Sequence, residues 1–479
     1  MNPIFVIGNR LKYVSPITIV LLLILFASVN IYAQVNDSNS TLMVRAQTKP
    51  DKPWKEFPTQ TLKNLNGFSL DSIDKNINHY GSRTDRKLKA TGFFRVEKID
   101  NRWWIIDPKG NCYYNKAVVS VTIGKSKTSI NKVKDIFGDE LGWANSVSAM
   151  LKEYGFNGSG AWTEENIMYK AEPRLPYSIV WNFMSGYGKE RGGTFQQPGH
   201  TGYPEDCIFV FDPGFEKFCD QHARKLAATK DDPFLLGHFS DNEMPFPEDA
   251  LDNYLKLDTN DFGYKAAYSW IKEKRGEGFE ISSINNEDRE LFLELVAERY
   301  FRIISTAIKK YDPNHMFLGA RFHGKTMDRK PVMTAAGRYV DILSINYYNA
   351  WTPDKERMSK WTEWSGRPFI ITEWYVKGAD SGLPNVSGAG WIVPTQSDRG
   401  LFYQNFTLNL LPFKSCVGWQ WFKYIDNDPK ATGVDPSNND SNKGIVTITF
   451  EKYDPLLDKM KELNSRVYSL IDYFDINNK

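Results

Sequence analysis

The sequence predicts an α/β fold, a (β/α)8 TIM barrel with a small N-terminal β-hairpin extension and long loops after its strands. Eight short apolar runs recur along the chain: Asn115–Thr122, Phe156–Trp162, Tyr177–Met184, Leu235–Glu243, Met316–His323, Val340–Asn349, Pro368–Val376 and Cys416–Tyr424. Between them apolar residues fall three and four apart, as in Val147, Met150, Leu151 and Tyr154, or Leu291, Leu295, Val296, Ile303, Ile304, Ala307 and Ile308. That is the spacing of one buried helix face. Continuous apolar strands alternating with helices make a parallel sheet covered on both sides, and eight repeats favour closure over an open sheet.

The elements follow in chain order. Arg10 and Lys12 precede thirteen uncharged residues, Ile17 to Val29, and then Asn30-Ile31-Tyr32-Ala33. Charge, apolar run and small residue are the layout of a secretory signal. A run of that length reaches about 20 Å as a helix, short of the roughly 30 Å hydrocarbon layer. Residues 1–33 are therefore read as a signal peptide cut after Ala33, and the protein as exported, periplasmic or secreted. Residues 34–91, rich in Asn, Ser, Thr and Lys, read as a lead-in and not as an independent domain. The catalytic domain is assigned to 92–479. It opens with Gly92–Ile99 and Arg102–Asp107, two aromatic and β-branched strands around Asp100-Asn101, a hairpin plugging one end of the barrel. From Asn115 onward about 360 residues exceed the ~250 of a bare barrel. The excess falls in the loops Pro245–Glu290 and Lys377–Arg399, expected to roof the active face.

Composition excludes several classes. At 25% charged and 41% hydrophobic the chain is globular, and 60 basic against 58 acidic side chains leave a charge of +2. Loss of Arg10 and Lys12 with the signal would make the mature chain neutral. Neither nucleic acid nor, once the signal is removed, a membrane surface is a partner on this balance; oligomeric state is not legible. Cys112, Cys207, Cys219 and Cys416 are too few for a disulfide framework and read as buried thiols, although export would permit a Cys207–Cys219 bridge. The six histidines include no His-Glu-x-x-His, so no metal and no cofactor is expected. The stretch from Asp426 to Asp440 has oxygen ligands enough for calcium but not the EF-hand spacing, and reads as a solvated loop.

Barrel chemistry lies at the carboxyl ends of the strands. Here the runs end in Trp162, Trp181-Asn182, Ser240-Asp241-Asn242-Glu243, Phe322-His323, Asn346-Tyr347-Tyr348-Asn349, Thr372-Glu373-Trp374 and Gly418-Trp419-Gln420-Trp421-Phe422. A carboxylate at the end of an apolar strand costs several kcal/mol unless it is paired or used. Runs four and seven face one another across an eight-stranded mouth, so Glu243 and Glu373 can form the two-carboxyl pair of a retaining glycosidase, about 5 to 5.5 Å apart. The structural alternative is that each is half of an ion pair.

These residues resemble the retaining (β/α)8 glycoside hydrolases of clan A, which include β-galactosidases, β-glucuronidases and agarases. Closer still, Gly92-Phe93-Phe94-Arg95 with Arg102-Trp103-Trp104, Ser240-Asp241-Asn242-Glu243, Asn385 to Gly400, and Gly418–Phe422 with Asn442-Lys443-Gly444-Ile445 resemble the family 50 β-agarases, from about Gly92 to Val446. The resemblance implies Glu243 as acid/base, its pKa raised while Glu373 is anionic, and Glu373 as nucleophile. It implies Asn242 as a hydrogen-bond donor to the sugar hydroxyl beside the anomeric carbon, and Tyr348 as the tyrosine that holds the nucleophile. Candidate sugar-binding residues are Trp162, Trp181, Asn182, His323, Tyr347, Trp374, Trp391, Trp419 and Trp421. Tyr347 points opposite to Tyr348, and Trp419 and Trp421 share one face. The implied substrate is a β-linked galactan, agar oligosaccharides first, cut from a chain end, with porphyran, carrageenan fragments, β-galactosides or β-glucuronides as alternatives. A non-catalytic carbohydrate-binding protein on this scaffold is the rival from another class. Family 50 agarases usually carry a sizeable binding-like domain before the barrel, for which the roughly 60 residues from Gln34 to Gly92 are too few.

Overall fold

The structure is a computed structural model and describes residues 41–431, 433, 435 and 437–477. The signal peptide and its cleavage point lie outside the described residues. All eight apolar runs supply barrel strands: β1 (Asn115–Val118), β2 (Gly158–Ser159), β3 (Tyr177–Val180), β4 (Leu235–Phe239), β5 (Met316–Gly319), β6 (Leu343–Asn346), β7 (Phe369–Glu373) and β8 (Cys416–Trp421). They pair in parallel in the order β5-β4-β3-β2-β1-β8-β7-β6. The barrel closes between β5 and β6, where Phe322 N–H donates to Ser344 O and Asn346 N–H to Phe322 O, both at 2.8 Å.

Inside the barrel Val119, Ala161, Leu236, Phe239, Met316, Leu318, Ile342, Ile370 and Val417 form one apolar cluster, joined by Tyr80, Phe94, Ile105 and Tyr113 from the N-terminal segment. The segment is a four-stranded antiparallel sheet in which the expected hairpin (Arg95–Ile99 with Arg102–Ile106) is extended on its Arg102–Ile106 side by Asn111–Tyr113 and then Arg83–Lys87. Asp100 and Asn101 both take positive φ, 50° and 66°, as a two-residue turn matching the strand twist demands. The buried Arg102 anchors the hairpin by donating to Asp475 at 2.8 and 2.7 Å. Strand β2 is short and glycine-bounded for a steric reason: a Cβ at Gly160 would stand 2.4 Å from Gln420 Oε1.

Of the two long insertions, only one roofs the active face. Residues 377–399 bring Ser387, Gly388 and Ala389 to the cavity described below. The expectation for Pro245–Glu290 is corrected: this segment folds into helices Ala250–Tyr254 and Phe262–Arg275 and contributes no lining residue. Its apolar positions pack sideways on helix Asn286–Tyr311, as Tyr254 and Trp270 do against Phe292. In the lead-in, Met43–Ala46 pairs with Lys55–Pro58, and Gln47 exchanges backbone hydrogen bonds with Ile392, which brings Lys49 to the same cavity. Among the described residues no helix is long and apolar enough to cross a membrane.

Candidate active site

The chain leaves most of the barrel strands through non-glycine residues in left-handed backbone. Ser120, Trp162, Asn182, Glu243 and Arg321 have φ of 51°, 62°, 57°, 53° and 51°. Such a conformation costs on the order of 1–2 kcal/mol per residue and persists only where the surroundings hold it. Three of these residues, Ser120, Trp162 and Glu243, open onto one cavity of about 690 Å3, lined also by Asn242, His323, Tyr348, Glu373, Tyr375 and Phe422 from the strand ends.

Glu373 ends β7 and is 6% exposed. Its Oε1 lies 2.7 Å from Arg321 Nη2, and its Oε2 accepts the Tyr348 hydroxyl at 2.7 Å. Arg321, wholly buried, also donates to Asn242 Oδ1 at 2.9 Å and to Thr372 O at 3.0 Å. One guanidinium thus links the groups beyond β4, β5 and β7. Glu243 Oε1 accepts from Asn346 Nδ2 at 2.9 Å; His200 Nδ1 stands 3.5 Å from its Oε2 and His323 Nδ1 3.9 Å from its Oε1. Two residues upstream, Asp241 fixes the turn by accepting from Met184 N and Ser185 N at the start of helix Phe183–Arg191, and from Tyr300 OH at 2.7 Å. Burial pushes the Asp241 carboxyl up to about 6.

Burial is the largest influence on both cavity glutamates and pushes both up. On Glu373 it prevails, with the charge of Glu243 adding to it, against the pull of Arg321 and Tyr348. On Glu243 the imidazole of His200 beside it, the charge of His323 and the Asn346 amide outweigh it and hold the carboxyl below its ordinary value. The resemblance implies the reverse, with Glu243 raised. The difference comes from the imidazoles, which lower Glu243 only while protonated, whereas the guanidinium beside Glu373 is permanent.

Of the residues named from sequence, the structure brings Glu243, Glu373, Tyr348, Asn242, Trp162 and His323 together and places the others elsewhere. Trp419 and Trp421 do share a face, but it is the one toward the helices: both are fully buried, and Trp419 Nε1 donates to Tyr403 OH at 2.7 Å. Trp374 stacks on Phe406 at 4.3 Å between ring centroids and meets Trp421 edge-on at 5.0 Å. The expectation that these three meet sugar is corrected. Strand alternation turns Gln420 inward and Phe422 into the cavity instead. Tyr347 is likewise corrected, being buried against Trp361 and Phe406 with its hydroxyl accepting from Asp354 N. Trp391 stacks with Trp351 beside Phe57, outside the cavity. Asn182 precedes helix Phe183–Arg191 and lines nothing, while Trp181 donates to His238 Nδ1 in the outer layer.

Sequence reasoning missed Arg321, Asn346, His200, Tyr375 and the cavity-facing position of Phe422. Asn346 and Phe422 lie inside the strand-end blocks it singled out and Arg321 directly precedes one, so the same test could have found them. His200 had no such signal; it sits on a hairpin, Phe195–Gln197 with His200–Gly202, inserted after β3.

Among the described residues one group of potential metal ligands converges, His238, Asp312 and His315, all buried. Each imidazole is hydrogen-bonded to Asp312 Oδ2, at 2.8 and 2.7 Å, and the second nitrogen of each has its own partner. The group ties β4 to the end of helix Asn286–Tyr311. In the Asp/Asn-rich loop, Asp426 accepts from Asn442, Lys443 N, Gly444 N and Tyr453, and Asp435 faces Lys423 and Lys443 at 3.3 and 3.5 Å, so protein donors occupy these carboxylates. Burial pushes the Lys443 ammonium down to about 8. All four cysteines are free and buried.

No protein-family profile matches the chain. Among curated proteins it is 27% identical to beta-agarase B of Vibrio sp. (strain JT0107) over 88% of this chain, and 27% identical to beta-agarase A of the same strain over 82%. It spans about half the length of these relatives, 53% and 48%. Among solved structures it superposes on the agarase AgWH50C, 22% identical, with a TM-score of 0.68 over 84% of this chain and 67% of that one, a likeness of fold. The crystal structure of BpGH50 is 33% identical and covers 91% of this chain and 96% of that one, with a TM-score of 0.79. Identity at that level over nearly the whole of both chains, in a barrel presenting two cavity glutamates at the ends of β4 and β7, means that this chain belongs to glycoside hydrolase family 50.

Proposed function

We propose that this protein is an exported, retaining β-glycosidase that hydrolyses β-linked galactans, agar oligosaccharides first, from a chain end. The observation that carries the reading is the pair Glu243 and Glu373 lining one cavity and held by different partners, Asn346 on one and Arg321 with Tyr348 on the other. Glu373 is the nucleophile: Arg321 and Tyr348 each engage one of its oxygens and so fix the orientation in which the carboxylate can attack an anomeric carbon. Glu243 is the acid/base. It gives its proton to the departing glycosidic oxygen as Glu373 forms the ester, then takes a proton from the water that hydrolyses it. Asn242, with Oδ1 committed to Arg321 and Asn346, presents its amide N–H toward the cavity side occupied by Gly199 O.

Trp162, 37% exposed, and Phe422 supply apolar faces for sugar rings, in place of the buried tryptophans of β8. Chain-end action is supported by a roof: a Cβ at Gly199 would lie 3.9 Å from Ser437 Cβ, so the β3 hairpin and the β8 loop meet above Glu243. The curated relatives' names support agar as the substrate. Export is supported by the signal-like layout of residues 1–33.

The test is a product profile of residues 34–479 against agarose, neoagaro-oligosaccharides, porphyran, carrageenan oligosaccharides and aryl β-galactosides. The expected result is a disaccharide from agaro-oligosaccharides, with Glu373→Ala inactive and rescued by azide to a glycosyl azide of inverted configuration. Activity confined to another galactan would discard agar, and absence of azide rescue would remove Glu373 from the nucleophile's role.

A further inference from the structure

His200 belongs to no strand end, yet it reaches Glu243. The hairpin that carries it is brought close by Gly199, whose φ of +86° suits glycine, and a Cβ there would lie 4.0 Å from Glu243 Oε2. The Gly199 carbonyl accepts from Asn242 Nδ2 at 3.3 Å, so the hairpin is tied to the residue beside Glu243. His200 Nδ1 is shielded from solvent, has no hydrogen-bond partner within reach, and points at Glu243 Oε2 3.5 Å away. A shielded imidazole nitrogen aimed at one oxygen of a buried carboxyl is half of a proton-sharing pair.

We propose that His200 is the proton partner of Glu243: one proton is shared between His200 Nδ1 and Glu243 Oε2, and occupies Glu243 when substrate fills the cavity. This rests on the acid/base role given to Glu243 above. With water in the cavity the pair is an ion pair, imidazolium and carboxylate. A sugar that displaces the water lowers the local dielectric and disfavours two separated charges, so the proton crosses to Glu243 and leaves neutral imidazole. In glycosylation that proton forms the O–H bond of the leaving group as the C–O bond breaks and its electron pair stays on the departing oxygen. In deglycosylation the attacking water returns a proton to Glu243, which restores the pair.

The arrangement accounts for an acid/base residue held below its ordinary value in the free cavity, and for the His200 imidazole being raised by Glu243. The other charged or titratable groups facing the pair are Asp206 on the His200 side and His323, Glu373 and Tyr348 on the Glu243 side. None of these is within hydrogen-bond distance of His200 Nδ1.

The experiment compares His200→Gln and His200→Asn with wild type and with Glu243→Gln. The readouts are kcat/KM against pH on the oligosaccharide that wild type cleaves, and on an aryl glycoside of the released disaccharide with a good leaving group. A coupled pair loses its last proton at a macroscopic pKa set by the imidazole, whereas a lone carboxyl loses it earlier. The expected result is an alkaline limb moved to lower pH by about one unit, with activity at a pH above both limbs down about tenfold on the oligosaccharide and nearly unchanged on the aryl glycoside. A limb that stays or moves to higher pH, or equal loss on both substrates by variants with unchanged Tm, overturns the proposal. If Glu243→Gln itself fails to spare the aryl glycoside, the acid/base reading fails instead, which keeps the two failures distinct.

Discussion

Replacing Arg321 with methionine keeps the volume and apolar stem of a fully buried side chain and deletes its charge. The guanidinium contacts Glu373 Oε1 at 2.7 Å, Asn242 Oδ1 at 2.9 Å and Thr372 O at 3.0 Å. Removing one partner of a buried ion pair costs about 3–5 kcal/mol, because it leaves the other charge uncompensated. Glu373 retains the Tyr348 hydroxyl, so the lower figure applies, and about 3 kcal/mol is equivalent to roughly two pKa units. The sign follows from the roles. Arg321 lowers the Glu373 carboxyl, so its loss raises a group that burial has raised already. A nucleophile must be ionised, so the acid limb of kcat/KM moves to higher pH by about two units, and at a pH below both limbs activity falls on the order of a hundredfold. The assay is the kcat/KM pH profile of Arg321→Met and Arg321→Lys. Lysine restores a point charge without the fork that bridges Glu373 and Asn242, and should show a smaller displacement. An acid limb that does not move in a folded Arg321→Met would refute the role of this guanidinium in setting the charge of Glu373.

Tyr348→Phe removes one charge-assisted hydrogen bond from Glu373, of the class that contributes about 1.5–3 kcal/mol, so kcat/KM should fall roughly 10- to 150-fold with little change in Tm; a change below twofold would show that the hydroxyl does not support the carboxylate. Trp162→Ala should raise KM and leave Tm within about a degree, since the ring is exposed in the cavity, whereas Trp421→Ala should destabilise by about 3–5 kcal/mol through the void left beside Trp374 and Tyr403. Thermal melts and Michaelis kinetics on the two variants check both halves; a Trp162 variant that unfolds, or a Trp421 variant that melts normally while losing affinity, would reverse the assignment.

The barrel and its two glutamates were legible in the sequence because both depend on local pattern. An apolar run between helical segments has one stable use, and an acidic residue at its end stands out against the cost of desolvation. Glu243, Glu373, Tyr348, Asn242, Trp162 and His323 emerged from that rule and lie in one cavity. What chain-local reasoning could not decide was the direction of faces and the approach of segments distant in sequence. The alternation that puts Trp419 and Trp421 together is silent on whether their face meets the sugar or helix Gln396–Leu410; closure of the barrel settled that, with the aromatic residues of the helix waiting on the outer side. Period-two pattern tells which residues are companions, and only packing tells what they face. In the same way, Arg321 reads in sequence as an isolated cation in an apolar run, and its meaning arises when β5 and β7 bring the guanidinium to Glu373 across 52 residues of chain. His200 lies 43 residues before Glu243 on a hairpin without a distinctive pattern, so its contact with that carboxyl exists only in three dimensions. The sequence by itself determined the scaffold and the chemistry-bearing carboxylates, since hydrophobic periodicity and desolvation act along the chain; tertiary structure decided their charge states and partners, since electrostatics and packing act through space.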